Sequence, residues 1–210
     1  MRRIKVCGIN SVDNLKEILT LPVDYVGFIF YPKSPRFAGN LDLSEVIFPE
    51  NISKVGVFVN ENIDTILQYH AYYQLDYIQL HGEESPEFCE QLVGKGCQII
   101  KAFNISSPDD LLKTSSYENN CQFFLFDTKT PLYGGSGQQF DWSILKNYTG
   151  KTPFFLSGGI GLNDINQLET FTHSLSHALD LNSKFELTPG IKDIQQLKKF
   201  IYLPHNEHNE

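Results

Sequence analysis

Residues 123–127 read Phe123-Phe-Leu-Phe126-Asp127, four apolar residues closed by a carboxylate, and residues 55–59 read Val55-Gly-Val-Phe-Val59. Short runs that are apolar on both faces fit a parallel sheet covered by helices, rather than a half-wet antiparallel one. Similar runs begin near Ile4, Tyr25, Lys54, Tyr77, Ile99, Phe123, Phe154 and Ala178, at intervals of 21 to 31 residues. Each interval has room for one strand, one helix and two short loops. Eight such units in 210 residues predict an α/β fold, a (β/α)8 TIM barrel near its lower size limit. The barrel is expected as a single domain over residues 1–203, followed by a polar tail over 204–210. An open doubly wound sheet uses the same alternation, but eight evenly spaced strands favour closure.

Helix starts are marked between these runs. Ser85-Pro-Glu87 and Ser107-Pro-Asp-Asp110 each place a capping hydroxyl, then proline, then acid. Asp141 is a third cap, and residues 194–203 carry Ile194, Leu197 and Ile201 at helical spacing. The weakest helix is predicted over residues 43–48, about a turn and a half.

Composition narrows the function. At 41% hydrophobic and 20% charged the chain is globular, and its apolar runs fall far short of the roughly 18 residues that span a bilayer. The first residues are positive but lack the apolar region of a secretory signal. A net charge of -8 without basic blocks argues against nucleic acid. Four cysteines with no CxxC pair fit neither a zinc site nor a disulfide framework, so a reduced cytoplasmic setting is expected.

A barrel builds its active site from the carboxyl ends of the strands and the loops after them. Those ends carry Cys7-Gly8, Gln79-Leu-His81, Lys101, Asp127, Ser157-Gly-Gly159 and Asp180-Leu-Asn-Ser183. A strand cysteine is usually structural, and that reading holds for Cys89 and Cys121, but the place of Cys7 at a strand end before glycine makes it a candidate for reactivity. Asp127 either caps a turn or opens a functional loop, since the segment after it is long and contains Gly134-Gly-Ser-Gly137. His81 either holds a backbone group or contacts ligand. Gly158, Gly159, Asn182 and Ser183 follow strands seven and eight, where barrels bind phosphate through backbone N–H groups. Arg36 closes the loop Tyr31-Pro-Lys-Ser-Pro-Arg36 and offers a planar fork suited to a carboxylate.

Taken together, Lys5-Val-Cys-Gly-Ile9, Gly27-Phe-Ile-Phe-Tyr-Pro-Lys-Ser-Pro-Arg36, Gln79-Leu-His-Gly82, Phe126-Asp-Thr128, Leu156-Ser-Gly-Gly159, Asp180-Leu-Asn-Ser183 and Pro189-Gly-Ile-Lys-Asp193 resemble the phosphoribosylanthranilate isomerase family. The resemblance runs in family order to about Ile201. It implies an Amadori rearrangement of N-(5′-phosphoribosyl)anthranilate to the 1-deoxyribulose 5-phosphate product in tryptophan biosynthesis. It also implies Cys7 as general base, Asp127 as general acid, and Arg36 facing the anthranilate carboxylate. Gly158, Gly159, Asn182 and Ser183 would lie at the phosphate. Lys184, His177 and Ser136 depart from the usual family pattern.

The reaction calls for one acid and one base, with neither metal nor organic cofactor. An ordinary aspartic acid, with a pKa of about 3.9, is protonated roughly once in a thousand at pH 7, so Asp127 needs an environment worth about 4 kcal/mol. Cys7 needs a modest downward shift, and Lys5, on the same face of its strand, is expected to help. The partner is a small phosphorylated molecule; monomer and homodimer both stay open. To offset the net charge, Lys5, Lys33, Arg36, Lys101, Lys129 and Lys184 are expected to make the barrel mouth positive. Two rivals remain: an indole-glycerol-phosphate synthase using Lys101 as acid, and a non-catalytic barrel that binds a phosphate ligand.

Overall fold

The computed structural model describes residues 3–128 and 140–202. Eight parallel strands close into a barrel in sequence order: β1 (Arg3–Cys7), β2 (Tyr25–Ile29), β3 (Ser53–Phe58), β4 (Tyr77–Leu80), β5 (Ile99–Ile105), β6 (Phe123–Thr128), β7 (Phe154–Leu156) and β8 (Ser176–Leu181). Closure is made by β1 on β8, with Lys5 opposite Asp180. A two-stranded hairpin, β9 (Glu186–Thr188) with β10 (Ile191–Lys192), follows the last barrel strand.

Alternation along each strand sorts the side chains. Tyr25, Val55, Ile100, Ala102, Phe123, Leu125, Phe155 and Ala178 form one apolar cluster inside the barrel. A larger cluster, including Val6, Phe28, Phe58, Phe124, Phe126 and Phe154, lies between the barrel and its outer layer. Asp127 shares the inward face of Phe123 and Leu125, while Cys7 shares that of Lys5. Lys101 lies between two inward residues and therefore points outward.

The outer layer contains α1 (Val12–Ile18), α2 (Ile63–Tyr73), α3 (Pro86–Val93), α4 (Ile165–Thr170) and α5 (Ile194–Tyr202), with 3-10 helices at Pro108–Tyr117 and Trp142–Asn147. Ser85 Oγ accepts the Phe88 N–H, and Asp141 accepts that of Ser143, as their spacing predicts. Asp110 performs the capping at the 3-10 helix after β5, accepting the N–H groups of Ser106 and Ser107. The helix expected over residues 43–48 is absent: only turns occur there, Ile47 is 91% exposed, and Pro49 follows. Proline disfavours helical backbone at the residue before it, here Phe48, and exposed Ile47 leaves no continuous buried stripe to support a helix. The glycine-rich loop with Ser136, Lys129, and the tail over residues 204–210 lie outside the described residues.

Candidate active site

Strand ends bring two groups of side chains to one rim. On one side, Cys7 ends β1 and is followed by Gly8, whose φ of +77° turns the chain away. A Cβ on Gly8 would lie 2.7 Å from Arg36 Cδ and 2.8 Å from Asn182 Oδ1, so both side chains crowd this turn. Gly27, paired with Cys7 in register, leaves room for the sulfur; a Cβ there would come within 2.7 Å of it. Across the mouth, Asp127 Oδ1 accepts the Thr128 N–H at 2.8 Å, and Oδ2 lies 3.3 Å from His81 Nε2. Gly158, with φ +96°, packs against Asp127 and Thr128. Cys7 is 3% exposed and Asp127 8%.

A buried polar line connects the two sides. Lys5 Nζ donates to Asp180 Oδ1 and to Gln79 Oε1, both at 2.8 Å, and Gln79 Nε2 lies 3.0 Å from His81 Nδ1. Ser157 Oγ donates to the other Asp180 oxygen at 3.2 Å. Burial pulls the Lys5 ammonium down, but Asp180 and Cys7 more than reverse this, leaving it above the ordinary lysine range.

Lys5 faces Cys7 as alternation predicts, yet the thiol is not lowered. Burial pushes it above its ordinary value; Lys5 and Lys192 pull it back only in part, and Asp180 adds to the rise. The ammonium of Lys5 is shared with a carboxylate that the sequence reading did not pair with it.

The positive mouth needs a similar correction. Arg36 is gripped by Glu186, which also holds Lys192 at 2.7 Å. Glu186 is lowered although burial opposes this, because Arg36 and Lys192 outweigh it; burial lowers Lys192, with Glu186 offsetting part. Lys101 faces the outer layer, where it donates to the carbonyls of Leu80, Gly82 and Ala102 and pairs with Glu84 at 3.2 Å. Three of the six cations are thus neutralised by carboxylates, while Lys33 and Lys184 are exposed. The orientation of Lys101 also removes the lysine on which the synthase alternative relied.

The loops after β7 and β8 adjoin one another, a Cβ on Gly161 falling 3.3 Å from Lys184 Cβ. Gly158 and Gly159 both have positive φ, and Ser183 opens a single turn of 3-10 helix. Asn182 instead turns toward Gly8, after β1, and its Oδ1 accepts from Nζ of Lys192 on β10 at 2.7 Å. Gln79 and Asp180, which the sequence placed at strand ends without a role, belong to the site, as do Glu186 and Lys192, to which it gave none. Inward alternation with His81, the residue after β4, and Asn182, the residue after β8, was the available signal for the first two. Among the described residues, no group of three or more His, Cys, Asp or Glu side chains could hold a metal ion.

A closed parallel barrel with polar side chains gathered at its carboxyl rim, beside a glycine-lined loop pair, places the chain among the (β/α)8 barrels, which build their active sites at that rim. A family model described as N-(5′-phosphoribosyl)anthranilate isomerase matches residues 4–202. The chain belongs to that family, and is an isomerase that converts an aldose to a ketose within one molecule. The enzyme of this name from Parabacteroides distasonis is 47% identical over 204 residues, covering 94% of this chain and 91% of the relative. The phosphoribosylanthranilate isomerase from Thermus thermophilus superposes with a TM-score of 0.81 at 29% identity, covering 95% and 96% of the two chains. A further isomerase structure, in complex with reduced 1-(o-carboxyphenylamino)-1-deoxyribulose 5-phosphate, gives 0.78 at 33% identity, covering 96% and 97%.

Proposed function

We propose that the rearrangement of N-(5′-phosphoribosyl)anthranilate proceeds in this chain between Asp127 and Cys7. Asp127 gives its proton to the ribose ring oxygen, and the ring opens to an iminium. Cys7, as thiolate, removes the C2′ proton, and the resulting enolamine tautomerises to the ketone. The observation that carries this reading is the placement of both groups on inward positions of one rim, on strands β1 and β6. Arg36 stands at that rim beside Gly8, ready for the anthranilate carboxylate through the guanidinium edge that Glu186 does not occupy. The backbone around Gly158, Gly159 and Ser183 takes the phosphate, with Lys184 adding charge and Asn182 shaping the adjoining turn. His81 reaches the substrate only beside Asp127. The substrate is a small phosphorylated molecule. All four cysteines are unpaired thiols, which supports a reducing, cytoplasmic setting.

The experiment mixes protein with freshly prepared phosphoribosylanthranilate and follows loss of its anthranilate-type fluorescence. Wild-type protein is expected to consume it, whereas Cys7→Ala and Asp127→Asn should fall about 10²–10⁴-fold while remaining folded. Either variant turning over at the wild-type rate removes the corresponding assignment.

A further inference from the structure

Across the barrel mouth, Lys5, Gln79 and His81 form a line, ending beside Asp127, in which each hydrogen-bond direction is dictated by the previous residue. An ammonium only donates, so the Gln79 atom 2.8 Å from Lys5 Nζ is the carbonyl oxygen. The Gln79 amide nitrogen therefore points at His81, 3.0 Å from Nδ1. An amide nitrogen also only donates, so Nδ1 accepts and the ring proton sits on Nε2. That buried Nε2 makes no hydrogen bond among the described residues and lies 3.3 Å from Asp127 Oδ2. Asp180, 2.8 Å from Lys5 Nζ, keeps the lysine an ammonium and hence a donor.

We propose that Lys5 and Gln79 are positioning residues that set the tautomer of His81 and thereby keep the acidic proton of Asp127 for the substrate. In the enforced tautomer His81 offers Asp127 an N–H. Thr128 N–H meets the other oxygen, so these two neighbours of the carboxyl are both donors and neither takes its proton. In the opposite tautomer, Nε2 would present a basic lone pair to Oδ2. The proton meant for the ribose oxygen would then pass to the imidazole. Once the proton has been delivered, the same N–H faces the carboxylate left behind. This inference rests on the reading of Asp127 as the acid.

Histidine labelled with nitrogen-15 tests it directly. The His81 signals, assigned by their loss in His81→Asn, should show wild-type protein with a bare Nδ1 and a protonated Nε2. Gln79→Glu retains the size and the Lys5 contact but places an oxygen opposite Nδ1, which then has to donate. In that variant Nδ1 should become protonated, kcat should fall about tenfold or more, and KM should stay within about twofold. A proton on Nδ1 in the wild-type enzyme overturns the proposal. So does a Gln79→Glu protein that keeps the wild-type tautomer, or gains the Nδ1 proton without losing kcat. The wild-type measurement needs neither a variant nor turnover, so it is separable from the role of Asp127: normal turnover by Asp127→Asn would sink the acid assignment and leave the tautomer result standing.

Discussion

Glu186 holds Arg36 along one edge of the guanidinium, with Nε 2.8 Å from Oε1 and Nη2 2.6 Å from Oε2. The arginine that the sequence marks for a substrate carboxylate is thus already oriented by a protein carboxylate, leaving Nη1 for a ligand. Fixing the fork in advance reduces the ordering cost that binding would otherwise incur.

Arg36→Lys keeps the charge but loses the planar edge. A lysine makes only a point contact with Glu186 and cannot hold a fixed direction toward substrate. We expect KM for phosphoribosylanthranilate to rise about tenfold, equivalent to about 1.4 kcal/mol, with kcat changing less. Steady-state kinetics on the purified variant check this.

The Cys7 thiol should titrate above the ordinary thiol range, because burial outweighs Lys5 and Lys192. A base with a raised pKa is mostly thiol at neutral pH, and its thiolate fraction grows as pH rises. kcat/KM should therefore increase into the alkaline range. Thiolate ultraviolet absorbance of wild type minus Cys7→Ser measures the titration itself. Lys192→Met, which removes one of the two opposing cations, should move it higher still.

At the opposite end of the barrel, His177 Nε2 lies 2.7 Å from Tyr25 Oη and 3.1 Å from Arg3 Nη1, with its ring centroid 4.2 Å from that of Phe123. Burial, then the Arg3 charge, lowers its pKa below the ordinary 6.5, with Asp24 opposing. The folded state therefore binds the proton less readily than the unfolded one. Its contribution to stability is complete above about pH 6.5 and is lost as pH falls below that value. Thermal unfolding followed from pH 7 downward should show a shallower fall in Tm for His177→Phe than for wild type.

Gly158 and Gly96 allow a controlled comparison, since both have positive φ, +96° and +87°. Around Gly96 a Cβ would meet nothing within 4 Å, so Gly96→Ala should cost only the left-handed backbone strain, about 1–2 kcal/mol. At Gly158 the methyl would run into Thr128 Oγ1 and lie 3.2 Å from Asp127 Oδ1. Gly158→Ala should lose more stability than Gly96→Ala, and also lose turnover, as read by chemical denaturation and the fluorescence assay together.

Much of the fold was legible because its signals are local. Phe123 to Asp127 announces a buried strand and its end within five residues, and eight such runs announce closure. The inward pairing of Lys5 with Cys7, and of Asp127 with Leu125, follows from a period of two. The segment over residues 43–48 forms turns because a short apolar pattern packs equally well that way, with Ile47 left exposed and Pro49 disfavouring helical backbone before it.

By itself the sequence determined the eight barrel strands and that Cys7 and Asp127 stand at the carboxyl ends of two of them, but not the β9–β10 hairpin or the extension of β5 to Ile105. Tertiary structure alone decided what each charge faces. Lys5 meets Asp180 because β8 closes on β1, 175 residues away, and Arg36 meets Glu186 across 150 residues because the hairpin after β8 folds over the loop after β2. Alternation tells a side chain which face it occupies, but Coulomb attraction depends on the ångström separations that only closure and register establish.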